Sequence, residues 1–206
     1  MPNNSHEAPG SSSPLEPQPV RSGRLFIVSA PSGAGKTTLC RKVIENYRDV
    51  RYSVSYTTRP PRPGETEGTD YHFVTIDTFK EGIQNGEWAE WALVHGNYYG
   101  TSARFIDSAI KQGQDVLLDI DVQGAAQIVQ RFPDSVTIFV MPPDMEELKR
   151  RLEKRNTDDP QTVTRRLAAA EREMAERHRY RHIIVNNDLS EAIQQMSAIL
   201  IKNSNS

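Results

Sequence analysis

Leu25-Phe26-Ile27-Val28 followed by Ala30-Pro31-Ser32-Gly33-Ala34-Gly35-Lys36-Thr37 decides the fold, because a helical pattern (Leu39, Val43, Ile44, Tyr47) comes directly after it. Strand, glycine loop and helix in that order form the context a phosphate-binding loop requires. A polyphosphate crowds several negative charges together. Backbone N–H groups curled into a nest at the positive end of a helix bind such oxygens without using side chains. Gly33 and Gly35 permit the close approach and the unusual dihedrals. Lys36 is the compact cation for the β- and γ-phosphates, and the Thr37 hydroxyl is the expected Mg²⁺ ligand. The usual pattern begins with glycine, where Ala30 stands here. A glycine-rich turn with an exposed lysine is the plain alternative.

With 206 residues, the chain suits one domain, or one core with a small insertion. A net charge of −2 argues against general nucleic-acid binding, which needs a basic face. A lone cysteine, Cys40, leaves no internal disulfide, fits a reducing compartment and reads as a packed core thiol. No stretch is apolar and long enough to span a bilayer, and no secretory pattern opens the chain, so the expectation is a cytoplasmic protein. A homo-oligomer is compatible with all of this. Residues 1–22 carry Pro2, Pro9, Pro14, Pro17, Pro19 and a serine run with almost no large apolar residue. Such a segment cannot bury enough surface to offset its ordering entropy, and it reads as a disordered tail.

Beyond the first helix, Tyr52 to Thr58 is β-rich, and Arg59-Pro60-Pro61-Arg62-Pro63-Gly64-Glu65 can be neither helix nor central strand. Two arginines on a proline-set backbone read as a preformed anion clamp, since guanidinium forks match phosphate oxygens. Asp70 to Ile76 reads as a strand, Asp77 as the cap of a helix to about Asn85, and Glu87 to Val94 as a strand with two core tryptophans. Gly96 to Gly100 reads as a turn. Residues 50–100 thus resemble a small mixed insertion. From about 102 a helix to Lys111, a strand Val116–Ile120, a helix to about Arg131 and a strand Val136–Val140 alternate, with apolar runs that suit a parallel sheet buried on both faces. Asp144 and Glu147 resemble a capping box ahead of Met145, Leu148 and Leu152. A further helix presents Val163, Leu167, Ala170 and Met174, with Glu173 and Arg177 spaced as an i,i+4 pair. His182 to Val185 is the last strand, and a closing helix presents Ile193, Met196 and Leu200.

Asp119 ends an apolar strand, where a nucleoside triphosphatase places a carboxylate near its magnesium. Asp121 points to the same side two residues on, either toward a second ligand or as the cap of the next helix. Arg150, Arg151, Arg155, Arg165 and Arg166 flank Asn156-Thr157-Asp158-Asp159-Pro160. They read either as a solvated face or as a mobile hairpin that brings positive charge over a nucleotide.

These residues strongly resemble guanylate kinases. The resemblance rests on Ala30 to Thr37, Ser55 to Glu65, Gly68-Thr69-Asp70-Tyr71, Glu90-Trp91, Gly96 to Thr101 and Leu118 to Gly124, and it covers about residues 23–203. Alanine stands at position 30 in bacterial members too. The resemblance implies an α/β fold: a P-loop parallel-sheet core (23–52 and 102–203), a mixed α+β GMP-binding insertion (about 53–101) and a helical lid (about 150–166). It implies Mg²⁺-dependent transfer of the ATP γ-phosphoryl group to GMP, and to dGMP. ATP would lie on Ser32, Gly33, Ala34, Gly35, Lys36, Thr37 and Thr38. Ser55, Glu90, Thr101 and Asp121 would surround the guanine. Arg59, Arg62, Glu65, Tyr71 and Tyr99 would hold or support the acceptor phosphate. Lys36, Arg59, Arg155 and Arg166 would be catalytic, and Thr37, with Asp119 through water, would hold Mg²⁺. Related domains in scaffold proteins hold phosphopeptides at the monophosphate site, but their phosphate loops are typically degraded, whereas Gly35-Lys36-Thr37 is intact here.

Overall fold

The computed structural model describes residues 22–47, 49–94, 96–154 and 160–204. The N-terminal tail, apart from its last residue, and Arg155 to Asp159 lie outside them. Two sheets organise the described chain. The first has the order β2-β7-β1-β8-β9, with every neighbouring pair parallel. Its strands are β1 Leu25–Ser29, β2 Val50–Ser53, β7 Asp115–Asp119, β8 Val136–Met141 and β9 His182–Val185. Side chains alternate across β1, so Phe26 and Val28 enter one apolar cluster and Leu25 and Ile27 the other. Helices α1 (Lys36–Ile44) and α7 (Leu189–Ser204) cover the first face through Leu39, Val43, Met196 and Leu200. Helices α3 (Ala103–Lys111) and α4 (Val122–Arg131) cover the second through Ile106 and Ile128. Burial on both faces is why the central strands β1, β7 and β8 read as nearly continuous apolar runs.

The smaller sheet has the order β4-β3-β6-β5 and mixes one parallel with two antiparallel pairings. Its strands are β3 Tyr56–Thr57, β4 His72–Phe73, β5 Trp88–Val94 and β6 Asn97–Ser102, and helix α2 (Ile76–Gln84) packs on it. Phe79 of α2 stacks on Trp88 at 4.6 Å and on Tyr98 at 5.2 Å. Helices α5 (Met145–Lys154) and α6 (Pro160–Ala175) follow β8 and pack through Leu148, Leu152, Val163 and Ala170. A 3-10 turn, Glu176–Arg179, leads into β9.

Several local expectations are corrected. The β-rich run from Tyr52 divides at Val54-Ser55, its first part in the large sheet and its second in the small one. Thr75, not Asp77, caps α2, accepting the Thr78 N–H at 3.1 Å; Asp77 lies in the first turn, where its charge favours the helix dipole. Residues 97–100 are strand, paired with β5 and β3. Trp91 is exposed at 38 % while Trp88 is half-buried, stacked on Phe79 and donating its indole N–H to the Phe79 carbonyl at 3.1 Å. Half of the capping box forms: Asp144 accepts the Glu147 N–H at 2.7 Å, but the Glu147 carboxylate turns to Arg150 and Arg151. Glu173 does not pair with Arg177 but reaches the glycine loop.

Polar contacts tie the small sheet to the helices of the large one. Arg41 of α1 meets Asp70 at 2.5 Å, with side chains 40 % and 19 % exposed. Gln127 of α4 clasps the backbone of Trp91, accepting its N–H at 3.2 Å and donating to its carbonyl at 2.8 Å.

Candidate active site

Parallel β1 and β7 end side by side, Val28 beside Asp119, so the loop after one strand and the carboxylate at the end of the other meet at the carboxyl edge of the sheet. Open α/β sheets bind their ligands at that edge. Gly33 and Gly35 adopt φ of +96° and +92°, as the loop reading expects. A Cβ at Gly35 would stand 2.5 Å from Asn186 Nδ2. Asn186, just beyond β9, donates to the Ala34 carbonyl at 2.8 Å. Arg151 joins the same brace, reaching the Asn186 carbonyl at 2.9 Å while Glu147 holds its Nε at 2.7 Å. The loop is therefore shaped by Arg151 of α5, which the sequence placed only among the lid or surface arginines, and by Asn186, which sequence reasoning did not single out.

Lys36 forms an ion pair with Asp119, and the Tyr52 hydroxyl donates to the other carboxylate oxygen at 3.2 Å. Burial draws the Lys36 ammonium down in pKa, but the adjacent Asp119 carboxylate outweighs this and holds it above its ordinary value. Burial, reinforced by Asp119, raises the Tyr52 phenol. Thr37 and Thr38 are exposed in the first turn of α1. From α6, Arg166 donates to the Ser32 hydroxyl at 2.7 Å, and Glu173 accepts the Ser32 N–H at 3.3 Å. Burial raises the Glu173 pKa. One arginine of the expected lid thus reaches the loop; the other, Arg155, lies outside the described residues. No group of three potential metal ligands occurs among the described residues. Thr37 and Asp119 offer hard oxygen donors, a set that suits Mg²⁺ completed by water and phosphate oxygens.

A second locus lies on the small sheet. Arg59 donates to Glu65 at 2.8 Å and to the Tyr99 hydroxyl at 3.3 Å, and it lies over the Tyr71 ring at 5.4 Å. Glu65 also accepts the Arg62 N–H at 2.7 Å. This carboxylate, rather than proline stiffness alone, fixes the arginine loop. Burial acts to raise the Glu65 pKa, but Arg59 overrides it and holds the carboxyl below its usual value. The Arg62 side chain is exposed. Burial raises the Tyr71 phenol, which also feels the charges of Asp119 and Lys36, so this face looks toward the glycine loop.

On the neighbouring strands β5 and β6, Glu90 is 4 % exposed and accepts the Thr101 hydroxyl at 2.6 Å. Burial pushes its carboxyl up to about 7, with Thr101 opposing the shift and the nearby Asp121 charge adding to it. The β5–β6 register slips between Trp88 and Glu90, and this bulge sets Glu90 opposite Thr101. Asp121 caps α4, one oxygen accepting the N–H groups of Gln123 and Gly124 at 2.8 Å each. The capping alternative for Asp121 is thus realised, and it coexists with a position facing Glu90. Ser55 is half-buried at the crossing between the sheets, its carbonyl accepting the His72 N–H at 2.9 Å.

The arrangement combines a glycine loop and its lysine, a braced arginine loop on the small sheet, and an acidic pair of which Glu90 is buried and Asp121 half-buried. The guanylate kinase family model matches residues 22–203. The chain is 52 % identical over 181 residues to the guanylate kinase of Syntrophotalea carbinolica, covering 88 % of this chain and 86 % of that one. It is 51 % identical over 181 residues to that of Geobacter sulfurreducens, covering 88 % and 89 %. A crystal structure of guanylate kinase from Anaplasma phagocytophilum superposes with a TM-score of 0.77 at 36 % identity, covering 90 % of this chain and 88 % of that chain. With a family model matching nearly all the described residues and relatives about half identical over most of their length, the chain belongs to the guanylate kinase family.

Proposed function

We propose that the two loci form one cleft, in which the γ-phosphoryl group of ATP on the glycine loop passes in line to the phosphate of GMP on the small sheet. ATP-dependent phosphorylation of GMP is the activity of the family to which the chain belongs. The observation that carries the base assignment is the pair of acceptors formed by buried Glu90 and half-buried Asp121, close enough for the Asp121 charge to act on Glu90. Guanine presents N1–H and its 2-amino group as donors, and the two carboxylates accept them. Adenine offers a bare acceptor at N1 and would leave a buried carboxylate unpaired, a mismatch that can discriminate by about 10⁴-fold. Ser55 and Thr101 complete the base pocket. Because these four residues read the base, dGMP is accepted as well.

The GMP phosphate is already an anion near neutral pH, its second pKa being about 6, so no side-chain general base is required. The obstacle is repulsion between two anionic groups. Arg59, braced by Glu65 and Tyr99, and Arg62 hold the acceptor phosphate, with Tyr71 donating to it. Lys36, Arg166 and Arg155 offset charge on the transferring group. Thr37, and Asp119 through water, would hold Mg²⁺, which when bound neutralises charge between the β- and γ-phosphates. Among the described residues no helix is long and apolar enough to cross a membrane, in keeping with a cytoplasmic role in purine nucleotide metabolism. A panel of GMP, dGMP, AMP, CMP and UMP with Mg-ATP tests the reading. Turnover confined to GMP and dGMP is expected, and comparable turnover of AMP would overturn the base assignment.

A further inference from the structure

Gly124 is the third residue of α4, and its φ is not left-handed, so backbone freedom does not explain why glycine is there. Alanine is the better helix former at such a position. What glycine supplies is space. A Cβ at 124 would overlap Glu90 Oε2 and stand 2.9 Å from Glu90 Cδ. The same residue donates its N–H to the Asp121 carboxylate at 2.8 Å. Both acidic acceptors therefore take their position from one backbone unit. Gln127, one turn on, holds α4 against β5 by clasping Trp91 on both its N–H and its carbonyl. Glu90 is also fixed from its other side by Thr101.

We infer that Gly124 is a positioning residue for guanine recognition, its missing side chain setting the distance between the Glu90 and Asp121 carboxylates. The inference rests on the base assignment above. A methyl group at 124 forces Glu90 Oε2 toward the space the guanine edge would occupy, while the glycine loop and its ATP are untouched.

Steady-state kinetics on the full chain test it. Gly124→Ala should raise the KM for GMP by about tenfold or more and leave the KM for ATP unchanged. Glu90→Asp withdraws the carboxylate by one methylene, so it should cost less in the Gly124→Ala background than alone. An unchanged KM for GMP in Gly124→Ala overturns the inference, as does a parallel rise in both KM values with a lowered midpoint. Additive effects of the two substitutions also overturn it. If Gly124→Ala does not fold, recovery of folding by added Glu90→Ala supports the clash, and failure to recover refutes it. Glu90→Ala alone separates the two levels: if it leaves the KM for GMP unaltered, the base assignment itself is wrong, whereas a raised KM there with a normal Gly124→Ala condemns only the role of the glycine.

Discussion

Glu90 carries the sharpest chemical consequence. With its carboxyl near 7, it is mostly ionised at pH 8 and mostly protonated at pH 6. The ionised form accepts guanine donors on an oxygen that the protonated form would present as a competing donor. The KM for GMP should therefore rise about tenfold from pH 8 to pH 6. Glu90→Gln should show a high KM with no such slope, and initial rates at fixed saturating ATP check both. Lys36 makes a different prediction, since it is assigned to the transferred group and not to the base. Lys36→Ala should abolish turnover while GMP still binds, as read by calorimetry, and a near-normal rate would remove Lys36 from the chemistry. Both residues were legible in the sequence for different reasons. Lys36 belongs to a local motif whose spacing states its role, whereas Glu90 emerged only through family resemblance, because its burial depends on a bulge and on Gly124 across the cleft.

At the level of elements, the glycine loop was readable in detail but its bracing was not. Strand, loop and helix follow one another in the chain, so their signals are local. Asn186 is 152 positions from Ala34, and no local pattern marks it as the residue that holds the loop carbonyl. Asn186→Ala should lower stability by about 1–3 kcal/mol, the cost of leaving a buried acceptor poorly satisfied. It should raise the KM for ATP and leave that for GMP unchanged. Urea midpoints and kinetics with each substrate varied would show it, and equal KM changes for both substrates would count against a specific brace. The short strands were misjudged for a related reason. β3 and β4 have two residues each, and pairing partners far along the chain define them, so propensity drew one long strand where the chain crosses between sheets. The expected pairing of Glu173 with Arg177 failed because a surface i,i+4 pair is worth only a few tenths of a kcal/mol. The glycine loop offered Glu173 a backbone donor instead.

For the whole molecule, the parallel sheet was the most legible feature, since strands buried on both faces leave apolar runs that no other arrangement explains as simply. The same burial sets a pH dependence of folding. Below about pH 4.5 Glu90 is protonated both folded and unfolded. Between there and about 7 the folded chain retains a proton the unfolded chain has released, so stability falls as pH rises, by about 3 kcal/mol in all. Glu90→Gln should remove that slope, leaving the variant more stable than the parent at pH 8 and nearly equal at pH 4.5. Denaturation midpoints at the two values test this, and a parent stability that does not fall across the window would show that the carboxyl ionises freely. Two of the contacts between the small sheet and the helices of the large one differ in another respect. Arg41–Asp70 is an ion pair open to solvent, whereas the Gln127 clasp on Trp91 carries no net charge. Dissolved electrolyte weakens the first and spares the second, since at about 1 M ionic strength charges are felt over only about 3 Å. Brine should thus slacken the edge of the small sheet proposed to hold the acceptor phosphate while the edge proposed to read the purine stays fastened, so that on this reading salt acts on how the acceptor is gripped before it acts on which base is chosen.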